Sequence, residues 1–388
     1  MYAVTNPVDE TLVQEFSTCT DSEIDDAVSA AHQEYLIWSR GDLDVRTAKI
    51  KKAAALFAER ADEFVAIMSR EMGKRVSDAR GEMEIVCEIF SYYADNAKQL
   101  LADEEFPITG GTGTIRKTGV GPILGIMPWN YPVYQVARFA APNLVLGNTV
   151  LLKHAPICPE TALAIEQLMH DAGIPKGAYV NIFASHEQVA TIISDPRVQG
   201  VSLTGSERAG AAVAAEAGKH LKKVVLELGG SDPMVILDSD DLPALAHRAA
   251  EARLDNMGQA CNSPKRMIVL QDIYPDFVTE LVKDFAGYAP GDPMVEGATL
   301  APLSTKVAAQ RVHAQVARQN VEVPHMRGES PVGGSLRAFR PRSRGVWSLP
   351  VPRLSRLRHR TGCRVQIQSL DVRWRAPYVV GGNSIRSL

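Results

Sequence analysis

The sequence has few of the features that mark membrane-bound, secreted or metal-binding proteins. No apolar run approaches the ~20 residues that a membrane-spanning helix requires, and the first residues lack the basic and then apolar order of a signal peptide. The five cysteines are scattered, odd in number and never in CxxC spacing, which argues against a disulfide framework and a zinc site. We therefore expect a cytoplasmic protein with no membrane partner and no bound metal.

Charge is distributed unevenly along the 388 residues, whose formal net charge is −3. Residues 318–388 contain 14 arginines, no lysine and three acids, so that this segment carries +11 and residues 1–317 carry −14. An acidic body does not suggest a nucleic-acid partner. The last segment is rich in Arg, Pro, Ser and Gly and has no helical or strand period, so we expect it to be disordered.

Amphipathic helices are predicted for the first hundred residues. Thr20 and Glu23 form a capping-box pattern at the start of the first of them. Apolar residues at helical spacing predict helices over residues 20–40, 44–72 and 76–101. A Gly-rich stretch at 109–114 then ends the helical pattern, and short strands are expected at 115–120 and 123–127.

From residue 149 onward, strand-like apolar runs alternate with helical stretches. The runs predicted as strands of one sheet lie at 149–152, 179–182, 201–203, 224–226 and 234–237. This alternation is typical of a doubly wound α/β sheet, which binds ligands at the carboxyl ends of its strands. A strand at 267–270 and a helix at 274–285 begin a second α/β unit, in which we expect that strand to lack sheet neighbours.

A cysteine and a glutamate are the first candidate catalytic residues. Cys261 lies on a connection after Gly258, where the backbone can approach a ligand closely and the Cys261 amide can donate to an oxyanion. Glu227 ends an apolar strand before two glycines, and partly apolar surroundings would suit it to act as a general base. A thiol paired with such a base fits covalent acyl chemistry. Taken singly, each residue has an ordinary alternative interpretation. Cys261 would be a buried structural cysteine, and Glu227 would be a surface acid at a strand end.

Three further strand ends carry polar groups. Asn130, in Met-Pro-Trp-Asn-Tyr-Pro, is a candidate side-chain donor to an oxyanion, although the same motif also makes a rigid corner. Lys153 ends the next strand, where a ribose or phosphate can lie, and Ser206 opens a helix whose N-terminus can hold a pyrophosphate. Each of these signals is weak alone.

Together, the motifs resemble the aldehyde dehydrogenase family and most resemble its NAD(P)-dependent succinate-semialdehyde branch. The motifs that carry the resemblance are, in chain order, PWN, LLK, LTGS, LELGG and GQAC. The resemblance covers residues 5–316 and implies an α/β protein with a Rossmann-type cofactor domain at 1–226, containing an oligomerisation hairpin near 105–122. It also implies a partial, truncated catalytic domain at 227–317, followed by a tail at 318–388 that the family does not share.

The resemblance also implies a role for each motif residue. Cys261 attacks the aldehyde carbon, Asn130 and the Cys261 amide stabilise the alkoxide, and Glu227 activates the water that hydrolyses the thioester. The residues implied in cofactor binding are Trp129, Lys153, Pro156, Gly205, Ser206, Leu228 and Gly229. Relatives that select NAD have an acid near Lys153 that would repel the 2′-phosphate of NADP. Because Pro156 stands there and a potentially cationic His154 adjoins Lys153, we expect NADP rather than NAD.

The implied substrate is a small aldehyde, succinate semialdehyde. Arg138 matches a position that can bind a distal carboxylate, a contact that suits the guanidinium geometry. An ion pair on the helix surface is its other interpretation. Asp255 stands where some relatives carry a second arginine.

The last 71 residues depart from the family pattern. The later family segments, including the strand used in homo-oligomerisation, have no counterpart there, and the arginine-only basic composition resembles out-of-frame translation of a GC-rich gene. Two hypotheses follow, a working dehydrogenase and an inactive, truncated or frameshifted relic of one. A nucleic-acid-binding arm rests on charge alone, without lysines or recurrent aromatic stacking positions.

Overall fold

The computed structural model describes residues 1–322 and 367–371. Their contacts divide the chain into two compact units. Unit 1 comprises residues 1–229, 255–261 and 288–311. Unit 2 comprises residues 230–254 and 262–287 together with the described residues from 312 onward.

Helices and strands are numbered in chain order. The helices are α1 (Asp21–Trp38), α2 (Leu43–Glu59), α3 (Ala61–Met72), α4 (Val76–Leu100), α5 (Pro132–Leu146), α6 (Pro159–Asp171), α7 (His186–Ser194), α8 (Glu207–Lys219), α9 (Leu242–Leu254), α10 (Tyr274–Phe285) and α11 (Lys306–Glu322). The strands are β1 (Tyr2–Thr5), β2 (Leu12–Phe16), β3 (Glu104–Ile108), β4 (Gly111–Ile115), β5 (Pro122–Ile126), β6 (Thr149–Lys153), β7 (Tyr179–Asn181), β8 (Gly200–Thr204), β9 (Lys223–Glu227), β10 (Asp232–Ile236), β11 (Pro264–Leu270) and β12 (Ile367–Asp371). Among these helices, none is both long and apolar enough to cross a membrane.

Unit 1 is built on a five-stranded parallel sheet of order β7-β6-β5-β8-β9. The chain moves outward from β5 to β7 and then returns to the other side of β5, which confirms the predicted doubly wound α/β topology. Neighbouring residues of β6 face opposite layers, because Val150 and Leu152 join one core cluster and Leu151 joins the other. Helices therefore cover both faces of the sheet.

The N-terminal helices follow the prediction with one correction. Thr20 and Glu23 form the predicted capping box at the start of α1. The single helix predicted over 44–72 is wrong, because the chain breaks at Arg60 into α2 and α3. Arg60 leaves helical geometry (φ −100°, ψ 19°) and pairs with Asp171 at 2.6 Å. This tertiary contact accompanies a helix break where the sequence has neither glycine nor proline.

A β-hairpin takes up the Gly-rich stretch. The strand predicted over 115–120 is wrong, since β4 ends at Ile115 and the glycine-containing residues themselves pair with β3. A Cβ atom on Gly113 would lie 2.4 Å from the Phe106 ring, so glycine is what allows the ring to cross the hairpin. The role of this hairpin in oligomerisation stays a prediction.

Unit 2 contains a smaller sheet of order β10-β11-β12, with α9 and α10 packed together. The run at 234–237 was predicted in the large sheet, but β10 pairs here with β11 in parallel. The expectation that the strand at 267–270 lacks sheet neighbours is also corrected, because β12 pairs with β11 on its other side. The expected disorder of 318–388 is wrong at residues 318–322, which end α11, and at β12. The rest of that segment, at 323–366 and 372–388, lies outside the described residues.

Candidate active site

The candidate residues of unit 1 meet at the carboxyl edge of the parallel sheet. Asn130 follows β5, Lys153 ends β6, Gly205 follows β8 and Glu227 ends β9. Because all five strands are parallel, these four positions share one edge. Two segments carry the proposed chemistry and are named here: the asparagine turn, residues 127–131, and the cysteine loop, residues 255–261.

The cysteine loop makes a tight left-handed turn before the thiol. Asn256, Met257 and Gly258 all have positive φ, at 46°, 56° and 74°. Three consecutive residues of this kind are rare, since only glycine adopts the left-handed region without steric cost and asparagine tolerates it better than most residues. Beyond this turn, the side chain of Cys261 is exposed. The interpretation of Cys261 as a buried structural cysteine is therefore wrong.

Three hydrogen bonds join the asparagine turn to the cysteine loop. The Asn130 amide donates from Nδ2 to the carbonyl oxygen of Gln259 (2.8 Å). In the opposite direction, the Asn256 amide donates from Nδ2 to the carbonyl oxygen of Asn130 (2.8 Å). The Tyr131 hydroxyl donates to Asp255 Oδ2 (2.6 Å). The pKa of Tyr131 is raised, mainly by burial and secondly by this hydrogen bond. The proposed oxyanion donor and the proposed nucleophile thus belong to one hydrogen-bonded assembly.

Glu227 lies at the predicted strand end but in different surroundings. Its side chain is 54% exposed, and its Oε2 lies 3.8 Å from Nη1 of Arg138. The partly apolar setting expected for this base is therefore not present among the described residues. The carboxylate faces a cation and solvent instead.

Arg138 projects from α5 towards the ends of two strands. Its Nη2 donates to Gln135 Oε1 (2.9 Å) and to Thr204 Oγ1 (3.5 Å), and Nη1 faces Glu227. Of its two interpretations, the described contacts favour the ion pair on the helix surface. Whether Arg138 binds a substrate carboxylate stays a prediction.

Lys153 is buried at the end of β6. Burial lowers the pKa of its ammonium group to about 8, and its Nζ lies 5.4 Å from the ring centroid of Tyr2. Pro156 is exposed three residues later, and its carbonyl accepts from the amide of Ala3 (3.0 Å). A ligand that reached this strand end would meet a largely desolvated cation.

His154 is not the cation that the sequence suggested. The ring is fully buried, its Nδ1 accepts from the Ala155 amide (2.8 Å), and its Nε2 lies 2.9 Å from the carbonyl oxygen of Pro132. Burial lowers the pKa of His154 to about 4. These bonds specify a neutral ring with the proton on Nε2, so His154 adds no charge to a phosphate site.

The start of α8 fits an anionic ligand. Ser206 is its N-cap, with Oγ accepting from the amide of Ala209 (3.3 Å), and the remaining first-turn amides of a helix point outward from its start. Gly205 donates to the Glu227 carbonyl (2.9 Å), which joins the ends of β8 and β9. Leu228 is half-buried against Gly210, where a Cβ would lie 2.6 Å from Leu228 Cδ2.

The remaining predicted cofactor residues lie beside these groups in the chain. Trp129 is half-buried in the asparagine turn, and Gly229 is exposed just beyond β9. The hydrogen bonds from Asn256 to Asn130 and from Tyr131 to Asp255 were not predicted from the sequence. The sequence signal for Asn256 was its place two residues before Gly258. Asparagine and glycine this close together in a turn favour positive φ.

Comparisons with known proteins agree with this fold. The model of the "Aldehyde dehydrogenase family" matches residues 1–339. A succinate-semialdehyde dehydrogenase [NADP(+)] of Deinococcus radiodurans is 47% identical over 315 residues, which are 81% of this chain and 66% of that protein. The chain therefore spans about two thirds of the length of that relative.

Solved structures show the same likeness. The succinic semialdehyde dehydrogenase of Streptococcus pyogenes, in complex with NADP+, superposes with a TM-score of 0.80 at 40% identity, over 82% of this chain and 71% of that one. A mutant of aldehyde dehydrogenase C of Pseudomonas syringae, in complex with NAD+ and octanal, has a TM-score of 0.76 at 31% identity, over 83% and 66% of the two chains. The described fold is thus that of the aldehyde dehydrogenases.

Proposed function

This chain belongs to the aldehyde dehydrogenase family, and from that premise we propose that it oxidises a small aldehyde to the carboxylic acid with NADP. The observation that carries the proposal is the pair of hydrogen bonds between the asparagine turn and the cysteine loop. These bonds hold a side-chain amide beside the segment that presents an exposed thiol, at the sheet edge where α/β proteins bind nucleotides.

The first step is addition of the thiol to the aldehyde. The Cys261 thiolate forms a bond to the carbonyl carbon, and the carbonyl electrons move to oxygen to give a thiohemiacetal alkoxide. The Cys261 amide and the second Nδ2 hydrogen of Asn130 donate to that oxygen. Such donors act most strongly on the charge that develops in the transition state.

The second step is oxidation, followed by hydrolysis. Lys153 and the first-turn amides of α8 would hold NADP, whose nicotinamide would supply the hydride acceptor. Loss of a hydride from the thiohemiacetal carbon leaves a thioester to Cys261. Glu227 takes a proton from the water that attacks the thioester carbon, and the Cys261 thiolate leaves as the acid forms. Water can reach the Glu227 carboxylate, whose side chain is 54% exposed.

Residues at four strand ends fit the cofactor. The first-turn amides of α8, with Ser206 as cap, suit a pyrophosphate, and Lys153 suits the adenosine ribose and its 2′-phosphate. Trp129, Pro156, Gly205, Leu228 and Gly229 would line the remainder of the cleft. The NADP(+) in the names of the relatives favours NADP, while the NAD+ complex of a more distant structure keeps NAD as the alternative.

Succinate semialdehyde is the proposed substrate, on the strength of the relatives' names. Arg138 is the proposed partner of its distal carboxylate. In the described structure this arginine faces Glu227 and Thr204, so binding the substrate would require the guanidinium to exchange partners.

The test is a direct assay of the full chain. Purified protein of residues 1–388 is mixed with succinate semialdehyde and NADP, and formation of NADPH is followed with the Cys261→Ala variant as the blank. Turnover that disappears in the variant supports the proposal. A folded, NADP-binding chain without Cys261-dependent turnover would overturn it in favour of the alternative, an inactive relic of such an enzyme.

A further inference from the structure

Asn256 has a place in the site that none of the proposed catalytic steps explains. It lies 126 positions from Asn130 in sequence, yet its side chain bonds the backbone of that residue. The Asn130 side chain in turn bonds the backbone of Gln259 in the loop that contains Asn256. The two amides therefore form a reciprocal clasp, defined here as the side chains of Asn130 and Asn256 with the two carbonyls that they bond.

The clasp determines how the Asn130 amide is oriented. Its Oδ1 accepts from the amide of Tyr131 (3.1 Å), and one Nδ2 hydrogen points at the Gln259 carbonyl. Because a carboxamide is planar, fixing one hydrogen fixes the direction of the second. Among the described residues, Gln259 supplies the one acceptor of Asn130 Nδ2, so the second hydrogen is available to a ligand.

Asn256 occupies its position at a cost to stability. The residue is fully buried, its backbone is left-handed, and among the described residues its Oδ1 has no hydrogen-bond partner. A buried acceptor without a partner and a left-handed backbone are both unfavourable. Its contribution to the site is the hydrogen bond that its side chain donates to the Asn130 carbonyl.

The cysteine loop is tied to the same clasp through Gln259. Its Oε1 accepts from the amide of Ser304 (3.1 Å), and its Nε2 donates to the Asn256 carbonyl (3.3 Å). The carbonyl that Asn130 bonds thus belongs to a residue held from two other sides. Cys261 follows two residues later, so a rotation of this peptide would move its amide.

We propose that Asn256 is the positioning residue that sets the oxyanion site, by holding the asparagine turn and the cysteine loop in one register. This inference rests on the proposed function, since it takes Asn130 and the Cys261 amide as the oxyanion donors. Asn256 acts through Asn130 and touches no reacting atom.

The variant that tests the proposal is Asn256→Gly. Glycine accepts the left-handed backbone without strain, so the change removes the side-chain bond and leaves the turn allowed. The matched control is Met257→Gly at the next position, whose φ of 56° is also left-handed and whose side chain makes no bond in the clasp. Both variants gain glycine flexibility in the same turn, so their difference reports the clasp.

Two measurements are made on the full chain. Hydrogen exchange of the peptides containing residues 127–131 and 258–261 should accelerate about tenfold or more in Asn256→Gly at both segments, whereas Met257→Gly should change the second segment alone. In steady-state assays Asn256→Gly should lower kcat by about 10- to 100-fold at unchanged KM for NADP, because displaced donors stabilise the alkoxide poorly.

The two measurements separate the inference from the function on which it rests. Unchanged exchange at residues 127–131 in Asn256→Gly, or a kcat no lower than that of Met257→Gly, would overturn the positioning role. A parent chain without turnover would count against the proposed function, and hydrogen exchange would still decide whether Asn256 connects the two segments.

Discussion

Lys74 and Glu82 form an ion pair from which solvent is excluded, with both side chains 0% exposed. Glu82 also accepts from the amides of Val133 and Tyr134 (2.8 Å each), so its carboxylate caps the start of α5 directly after the asparagine turn. Lys74 Nζ lies 3.7 Å from the ring centroid of Tyr131. A buried pair between the α3–α4 connection, which carries Lys74, and α4, which carries Glu82, thus supports the turn that presents Asn130.

We expect Glu82→Gln to destabilise unit 1 strongly. The change leaves the Lys74 ammonium buried without its counter-charge, and breaking a buried pair in this way costs about 3–5 kcal/mol. The double variant Lys74→Met with Glu82→Gln should recover part of that loss, because no unpaired charge remains. Urea unfolding followed by circular dichroism measures both.

The control for this prediction is a pair on the surface. Lys51 and Asp95 are both about half exposed, at 51% and 58%, and such pairs contribute roughly 0–1 kcal/mol. Asp95→Asn should therefore leave the urea midpoint almost unchanged. A Glu82→Gln variant that behaves like Asp95→Asn would show that the buried pair does not stabilise α5.

Cys261→Ala should abolish NADP-dependent aldehyde oxidation and leave NADP binding nearly unchanged, because the thiol forms the bond to substrate and its side chain is exposed at the site. Cys87→Ala is the matched control, since Cys87 is half-buried on α4 and packs against the core. Retained turnover in Cys261→Ala, measured as NADPH formation, would refute the assignment of the nucleophile.

Glu227→Gln should slow hydrolysis of the thioester more than its formation. Rapid mixing with aldehyde should then give a burst of NADPH, about one per active site, followed by a weak steady state. The control is Glu59→Gln, at the end of α2, which removes an exposed carboxylate outside the proposed site and should keep the normal steady state. A lost burst with normal hydrolysis would contradict the base assignment.

Arg138→Gln separates the two interpretations of this arginine. If Arg138 binds the distal carboxylate, KM for succinate semialdehyde should rise about tenfold or more while KM for butanal, which lacks the carboxylate, stays unchanged. If Arg138 instead forms an ion pair with Glu227, which lies 3.8 Å away, both aldehydes should show a similar change in kcat. Equal KM values before and after substitution would remove Arg138 from substrate binding.

The sequence predicted the positions at strand ends because sheet topology determines them. Asn130, Lys153, Ser206 and Glu227 each follow an apolar run, and parallel strands bring such residues to one edge without any knowledge of side-chain contacts. Thr20 and Glu23 were predictable because a capping box is local. These signals need only a few neighbouring residues.

Other parts of the site depend on contacts that the sequence does not encode locally. The bond from Asn256 to Asn130 spans 126 positions, and Lys74 and Glu82 look like surface charges until their burial is known. The prediction of a cationic His154 was wrong for the same reason, since its protonation depends on burial beside the Pro132 carbonyl. Tertiary burial decides the charge state, and periodicity does not report it.

The buried Lys153 gives a last prediction, on how NADP binding depends on pH. Burial lowers the pKa of this lysine to about 8, so in the unliganded protein it is charged below that pH and neutral above it. A 2′-phosphate close to the ammonium would favour the charged form and raise its pKa in the complex. NADP affinity should therefore be steady below pH 8 and fall by up to about tenfold per pH unit above it, while NAD, which lacks that phosphate, should show a weaker dependence.

Lys153→Arg keeps its charge through this range and should lose the step at pH 8, and Lys219→Met, at an exposed lysine of α8, should keep it. Fluorescence titration of both cofactors from pH 6.5 to about 9.5 measures the step; an NADP affinity that is flat across pH 8 in the parent chain would show that Lys153 does not face the phosphate.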